Sequence, residues 1–197
     1  MALARKKTGD APHLIYFPEI PFDENEFIED VKKAWEKRHG VVIAASEGLK
    51  YADGTPIVKP IFKTERATYF GDVSTHLATL IIEKLGIKAR SEKPGLICRC
   101  DRALASKVDL EEAVLMGRTV IKAALNKTNG VMAGIKRVST KPYKIEPIFI
   151  PIEKVMITEA TFPLKYIKDK HDVTDEFIEW LRPLVEETLE SISFLDK

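Results

Sequence analysis

Val41-Val-Ile-Ala-Ala-Ser-Glu-Gly48 decides the fold class of this chain. Its first five residues are an unbroken apolar run of strand length, as expected for a strand buried on both faces of a parallel sheet. Ser46-Glu47-Gly48 then stands at the strand's carboxyl end, where open α/β sheets place their ligands. Upstream, Leu14 to Phe17 is a second short apolar run, and Pro18 stops it because proline cannot continue a sheet interior. Glu19 therefore sits at a strand end. Between the two runs, Asp23 with Glu26 three residues later has the form of a capping box, and Phe27, Ile28, Val31 and Trp35 recur at helical spacing up to Gly40. Strand, helix and strand in this order predict a βαβ unit.

Downstream, Leu49 to Thr68 is rich in Gly, Pro, Lys and Asp without a clear period, and reads as loop with at most a short strand at Ile61-Phe62. A second helix is predicted from Asp72 to Thr75 onward, with Leu77, Leu80, Ile81 and Leu85 on one face and Gly86 as its stop. Ile87 to Arg90 is a further strand candidate, followed by Lys93-Pro94-Gly95 and Cys98-Arg99-Cys100. Asp109 with Glu112 announces a third helix, whose apolar residues Ala113, Met116, Val120, Ala124 and Leu125 run on toward Asn129-Gly130. Gly130 to Ile135 and Lys144 to Ile150 read as strands, the second placed at an edge by Pro147. The last helix begins at Thr174 and carries Phe177, Ile178, Leu181 and Val185, with Pro183 as a kink or break. The fold class predicted is α/β, a three-layer sandwich with a mainly parallel sheet.

A length of 197 residues makes one domain the default, with two small ones possible. The formal net charge of +1 comes from 31 basic and 30 acidic residues, which gives no concentrated basic face for a nucleic acid. No apolar stretch is long enough to span a bilayer as a helix, and Met1 to Pro12 lacks the apolar core of a signal peptide. Two cysteines, Cys98 and Cys100, are too close for an ordinary loop-closing disulfide and too few for a zinc site. A reduced, cytoplasmic protein is the expectation.

The four histidines, His13, His39, His76 and His171, have no ligand spacing, and no phosphate-binding or nucleophile-elbow motif occurs. Arg90 and Arg99 flank a Pro-Gly turn, and guanidinium groups bond phosphate bidentately. The same arginines on a solvated face would only pair weakly. Glu47 is open to the same two readings, as a ligand at a strand's carboxyl end or as a solvated loop carboxylate.

A resemblance narrows these choices. Asp10-Ala-Pro-His-Leu-Ile-Tyr-Phe-Pro-Glu19, Val41 to Gly48, Ala67-Thr-Tyr-Phe-Gly-Asp-Val-Ser-Thr-His76, Gly86-Ile-Lys-Ala-Arg-Ser-Glu-Lys-Pro-Gly95, Ser106-Lys-Val-Asp-Leu-Glu-Glu-Ala113 and His171-Asp-Val-Thr-Asp-Glu-Phe-Ile178 resemble, in order, segments of the phosphofructokinase family. The wording is closest to a bacterial branch using either ATP or pyrophosphate. The resemblance covers essentially the whole chain and implies that residues 1–197 are the C-terminal, fructose 6-phosphate-binding half of such an enzyme. By position, Glu47 matches the glutamate that bonds the sugar hydroxyls. Arg99 matches an arginine that grips substrate from the same subunit, and Arg90 one that reaches the 6-phosphate in a neighbour's site. A homo- or hetero-oligomer is implied. Glu19 matches a position that faces an effector site in some members and is not counted as a sugar ligand.

Two departures accompany the match. The Gly-His-x-Gln-Arg of many members reads here Gly95-Leu-Ile-Cys-Arg99, so Leu96 and Cys98 replace polar residues. Neither the family's Gly-Gly-Asp-Gly-Ser type donor loop nor its Thr-Ile-Asp-Asn-Asp type segment with the base aspartate occurs, and Met116-Gly117-Arg118 lies within a helix, far from where the family's Met-Gly-Arg belongs. The Mg²⁺ and ATP or pyrophosphate of the complete enzyme are therefore not expected to bind this chain alone, which needs an N-terminal half or a full-length subunit as partner. Met1 to Arg5 resembles the tail of a helix, as in a truncated or split protein. Apolar surface should then lie uncovered, with self-association or marginal stability as the result. The alternative is a non-catalytic sugar-phosphate-binding or assembly module.

Overall fold

A computed structural model of the chain describes residues 10–65, 67–95, 100, 105–155 and 160–190. They fall into two compact units, unit 1 from Met1–Gly95 with Phe162–Thr174 and unit 2 from Leu96–Thr161 with Asp175–Lys197.

Unit 1 opens with the expected βαβ. Strands β1 (Leu14–Tyr16) and β2 (Ile43–Ala45) pair in parallel, with Leu14 opposite Ile43 and Tyr16 opposite Ala45. His13 extends the pairing by one rung: its N–H donates to Val42 O, and its Nδ1 accepts from Val42 N, both at 2.8 Å. Helix α1 (Glu24–Arg38) crosses between them; Asp23 caps it by accepting from Glu26 N at 2.8 Å, and His39 ends it in the left-handed region at φ 54°. On the other side of β1, Ile15 N donates to His171 O at 2.9 Å, beside the small antiparallel pair β7 (Ile167–Lys168) and β8 (Asp172–Val173).

Helix α2 (Val73–Leu85) is capped by Asp72 and stopped by Gly86 at φ 66°, where the missing Cβ removes the penalty of a left-handed turn. Val73, Leu77, Leu80 and Ile81 from α2 join Tyr16, Phe22, Phe27, Val31, Leu49, Ile57 and Val58 in one core cluster. Tyr16 meets Phe22 and Phe27 edge-on, with Tyr16 and Phe27 ring centroids 5.2 Å apart. The short strand expected at Ile61-Phe62 is present as β3 (Pro60–Lys63), and it pairs antiparallel with β4 (Thr68–Phe70); Ile61, Phe62, Tyr69 and Phe70 are exposed.

Unit 2 holds α3 (Lys107–Leu125), the ribbon β5 (Val131–Thr140) with β6 (Tyr143–Pro151), and α4 (Asp175–Glu190). The Ser106 hydroxyl accepts from Asp109 N at 3.2 Å and donates to Leu184 O at 2.5 Å, tying the start of α3 to α4.

The class is α/β with parallel and antiparallel strands. Parallel pairing resides in β1/β2, and the other three described pairs are antiparallel. Several local expectations need correction. Val41 to Ala45 is not buried on both faces: only its last three residues form strand, and Val42 is exposed, because among the described residues β2 pairs with β1 alone. Ile87 to Arg90 is not a strand; Ile87 and Ala89 pack on the unit 1 core without a ladder partner. Helix α3 starts ahead of Asp109 because Ser106 is the cap and Asp109 fills the third helical position. Pro183 does not break α4, which continues to Glu190.

Candidate functional site

The carboxyl edge of β1/β2 brings two short segments together. Ser46 N donates to Tyr16 O at 3.2 Å, and Gly48 N donates to the Ser46 hydroxyl at 3.2 Å, folding residues 46–48 into a tight turn. A Cβ on Gly48 would stand 3.4 Å from Pro18 Cβ, so the turn lies close against the segment leaving β1. Glu47 is exposed within this turn, a carboxylate able to accept hydrogen bonds from a hydroxylated ligand.

Glu19, at the end of β1, is engaged differently. Its Oε1 accepts from Phe162 N at 2.7 Å, and the Phe17 and Phe162 rings stack at 5.3 Å, so it ties residues near 162 to the strand end. Its Oε2 is buried without a hydrogen-bond partner.

Arg90 is exposed in the segment after α2. That segment is tied back to the start of α2 by Ser91 Oγ with Thr75 Oγ1 at 3.2 Å and by Lys93 Nζ with Asp72 Oδ2 at 3.6 Å. No hydrogen bond or ion pair joins Arg90 to Glu47. Arg99, Leu96 and Cys98 lie outside the described residues, and Cys100 is exposed with a free thiol.

Sequence reading missed a polar cluster under β1. Asp30 Oδ2 takes His171 Nε2 at 2.9 Å and the Tyr16 hydroxyl at 3.4 Å, while Glu26 Oε1 takes Lys170 Nζ at 2.6 Å. Burial first, then the charge and hydrogen bond of Asp30, push the Tyr16 phenol well above the ordinary tyrosine range. Lys170 is held above the usual lysine range by its bond to Glu26. A weak signal existed in the sequence, since Glu26 and Asp30 are one helical turn apart and Lys170-His171 are adjacent. Only the fold joins the two, across 144 positions from Glu26 to Lys170.

Glu26, Asp30 and His171 can bring one atom each within 4.8 Å of one another. They do not fit the Mg²⁺ expected of phosphoryl transfer, which seeks octahedral oxygen ligands and retained waters. Here one donor is imidazole, and both carboxylates already hold partners. The cluster reads as structural.

In unit 2 the Arg137 guanidinium lies over the Tyr143 ring at 4.7 Å and the Trp180 ring at 4.1 Å, and it donates to Trp180 O. Glu179 pairs with Lys141 and with Arg182 Nε at 3.4 Å, beside a groove of about 430 Å³. Those contacts set Lys141 and Arg182 on one carboxylate.

No family model matches the chain. It is 34% identical over 188 residues to the pyrophosphate–fructose 6-phosphate 1-phosphotransferase of Halomonas elongata, covering 94% of this chain and 45% of that protein. It is 32% identical over 186 residues to the protein of the same name from Xanthomonas campestris pv. campestris, covering 93% and 44%. The crystal structure of the pyrophosphate-dependent phosphofructokinase from Marinobacter aquaeolei superposes with a TM-score of 0.76 at 29% identity, over 93% of this chain and 43% of that one. The chain thus spans less than half the length of the relatives it matches.

Proposed function

Since this chain is related to the phosphofructokinases over 94% of its length, we propose that it supplies the sugar-phosphate side of such an enzyme. In this reading residues 1–197 are the C-terminal half. It acts with an N-terminal half or a full-length subunit that brings the donor site and the base. The observation that carries it is the Ser46-Glu47-Gly48 turn at the carboxyl end of the parallel pair, which holds an exposed carboxylate where α/β sheets bind ligands.

Glu47 accepts hydrogen bonds from the hydroxyls of fructose 6-phosphate, and Arg99 holds the substrate through its guanidinium. Arg90, exposed on unit 1, reaches the 6-phosphate in a neighbouring subunit's site, which makes an oligomer the working form. The relatives named for pyrophosphate favour that donor over ATP. The base on the partner takes the proton of the acceptor hydroxyl as its oxygen bonds a phosphorus of pyrophosphate, the bridging P–O bond breaks with its electron pair going to the leaving phosphate, and phosphate and fructose 1,6-bisphosphate are the two products. Mg²⁺ supplies charge neutralisation for the moving group when it is bound with the donor, at residues outside this chain. This chain's residues orient the acceptor.

Cys98 favours a second reading, a sugar-phosphate-binding or assembly module without catalysis, because a site relieved of its reaction can lose polar contacts. One experiment separates the two. The chain is titrated with fructose 6-phosphate by calorimetry, then assayed with pyrophosphate alone and after co-expression with the remaining half. Activity only in the co-expressed sample supports the enzyme, and binding without activity in either supports the module. Arg99→Ala and Glu47→Gln should each weaken binding about tenfold or more, as expected when a charged hydrogen bond is lost. Unchanged affinity in both variants would refute the site.

A further inference from the structure

Glu47 lies between two anchored neighbours. Ahead of it, Ser46 N donates to Tyr16 O at 3.2 Å, which carries the β1/β2 pairing one step past Ala45. Behind it, Leu49 is 1% exposed in the unit 1 core, Phe22 N donates to Lys50 O at 2.8 Å, and Ile57 N donates to Leu49 O at 3.2 Å. Between these anchors, the N–H and C=O of Glu47 make no hydrogen bond among the described residues. One bond spans it: Gly48 N donates to Ser46 Oγ at 3.2 Å.

A serine hydroxyl that accepts from the amide two residues on closes a local turn by itself. Here the enclosed residue is the exposed Glu47, while Ser46 and Gly48 on either side are half-buried. The Ser46 hydroxyl therefore fixes the backbone angles from which the Glu47 side chain sets out. The fold does not depend on that bond. Neither Ser46 nor Gly48 belongs to the core cluster, and the Tyr16 contact and buried Leu49 keep the segment in place without the hydroxyl.

We infer that Ser46 is a positioning residue of the sugar site, holding the Glu47 backbone so that its carboxylate meets the hydroxyls of fructose 6-phosphate already ordered. This rests on the proposed reading of Glu47 as a sugar ligand. Ser46 acts through Glu47 and needs no contact with the substrate. A ligating side chain is only as well placed as the residues behind it, and freedom left in the unbound site must be removed on binding. Ordering the backbone of one residue costs roughly five- to thirtyfold in an equilibrium constant. The two anchors leave Glu47 only partly free without the hydroxyl, so the lower end applies, about fivefold.

The test titrates fructose 6-phosphate by calorimetry into the chain, and into the chain co-expressed with the remaining half. Ser46→Ala should weaken affinity about fivefold. Ser46→Thr should stay within about twofold of the unmodified chain, since the threonine hydroxyl accepts from the same amide. In a Glu47→Ala background, Ser46→Ala should change affinity by less than about twofold, because no carboxylate is left to position. A merely structural role would weaken binding in both backgrounds.

Full affinity in Ser46→Ala, with affinity lost in Glu47→Ala, would overturn the positioning role and leave the sugar site standing. Threonine behaving like alanine, or an equal loss in both backgrounds, would overturn it too. So would a Ser46→Ala chain without the cooperative unfolding of unit 1, followed by Trp35 emission, by assigning the bond to the fold. Unchanged affinity in Glu47→Ala, or no binding in any sample, would instead overturn the sugar site, and the inference with it.

Discussion

Replacing Phe27 by alanine should strongly destabilise unit 1 of this protein while leaving the unfolding of unit 2 unchanged. Phe27 is fully buried, with Tyr16 and Phe22 rings at 5.2 and 5.5 Å and Val31 in the same cluster. Removing a ring from such a site costs its transfer free energy plus the cavity left among neighbours too well packed to collapse, about 4 kcal/mol in total. For a unit of this size the urea dependence is about 2 kcal/mol per molar, so the midpoint should fall by about 2 M. That is a large part of the stability of an ordinary domain, about 5–15 kcal/mol. The chain supplies its own reporters, since Trp35 lies in unit 1 and Trp180 in unit 2. Urea titrations of Phe27→Ala in Trp35→Phe and Trp180→Phe backgrounds should show the loss through Trp35 and no shift through Trp180. An equal shift through Trp180 would refute the assignment of a self-sufficient core to unit 1. A midpoint change below about 0.5 M would refute the packing argument itself.

Two further outcomes are expected. Asp72→Ala should cost about 1 kcal/mol, measured by the Trp35 transition, because the N-cap of α2 is lost. The Ser74 hydroxyl, then the Thr75 amide, hold the Asp72 carboxyl below its ordinary 3.8; the cap's contribution is therefore complete above that pH and lost as pH falls below it, so variant and unmodified chain should converge in acid. Tyr51 donates to Glu24 Oε1 at 2.7 Å, and burial followed by that bond and the Glu24 charge push its phenol from 10.0 up to about 12. The stabilisation is present below the ordinary phenol range and lost as pH rises through the folded value. Absorbance titration of tyrosinate should lose a step at about 12 in Tyr51→Phe; loss of a step at the ordinary value instead would mean that the bond to Glu24 does not form.

The elements that could be read from sequence were those whose ends are written in side chains. Asp23 and Asp72 cap their helices, Gly86 stops α2, and Pro18 ends β1, each through a local backbone effect that needs no tertiary information. The errors fell where a partner decides the outcome. Ile87 to Arg90 has a strand-like alternation, but Ile87 and Ala89 pack on the unit 1 core, and among the described residues no strand pairs with the segment. Val41 to Ala45 looks doubly buried because its composition suits a central strand, yet its described hydrogen bonds go only to β1 and to His13 just ahead of it. At the candidate site, the position of Glu47 in an exposed turn was legible from its place after an apolar run. The Asp30–His171–Tyr16 cluster was not, because its members come from three separate elements that only the folded chain unites.

The β5/β6 ribbon carries a hazard of its own. Its ten- and nine-residue strands are, among the described residues, hydrogen-bonded only to each other, so each keeps an outer rim of backbone groups. Such rims are templates for cross-β stacking when chains are crowded, and the exposed Ile135, Val138 and Phe149 would feed it. Two devices oppose that route: Pro147, which removes an amide donor, and the cross-strand pair of Lys136 with Glu146 at 3.3 Å, which sets charges among the apolar residues as gatekeepers. Until the ribbon is covered, these residues guard the chain against forming fibrils before it finds its proper fold.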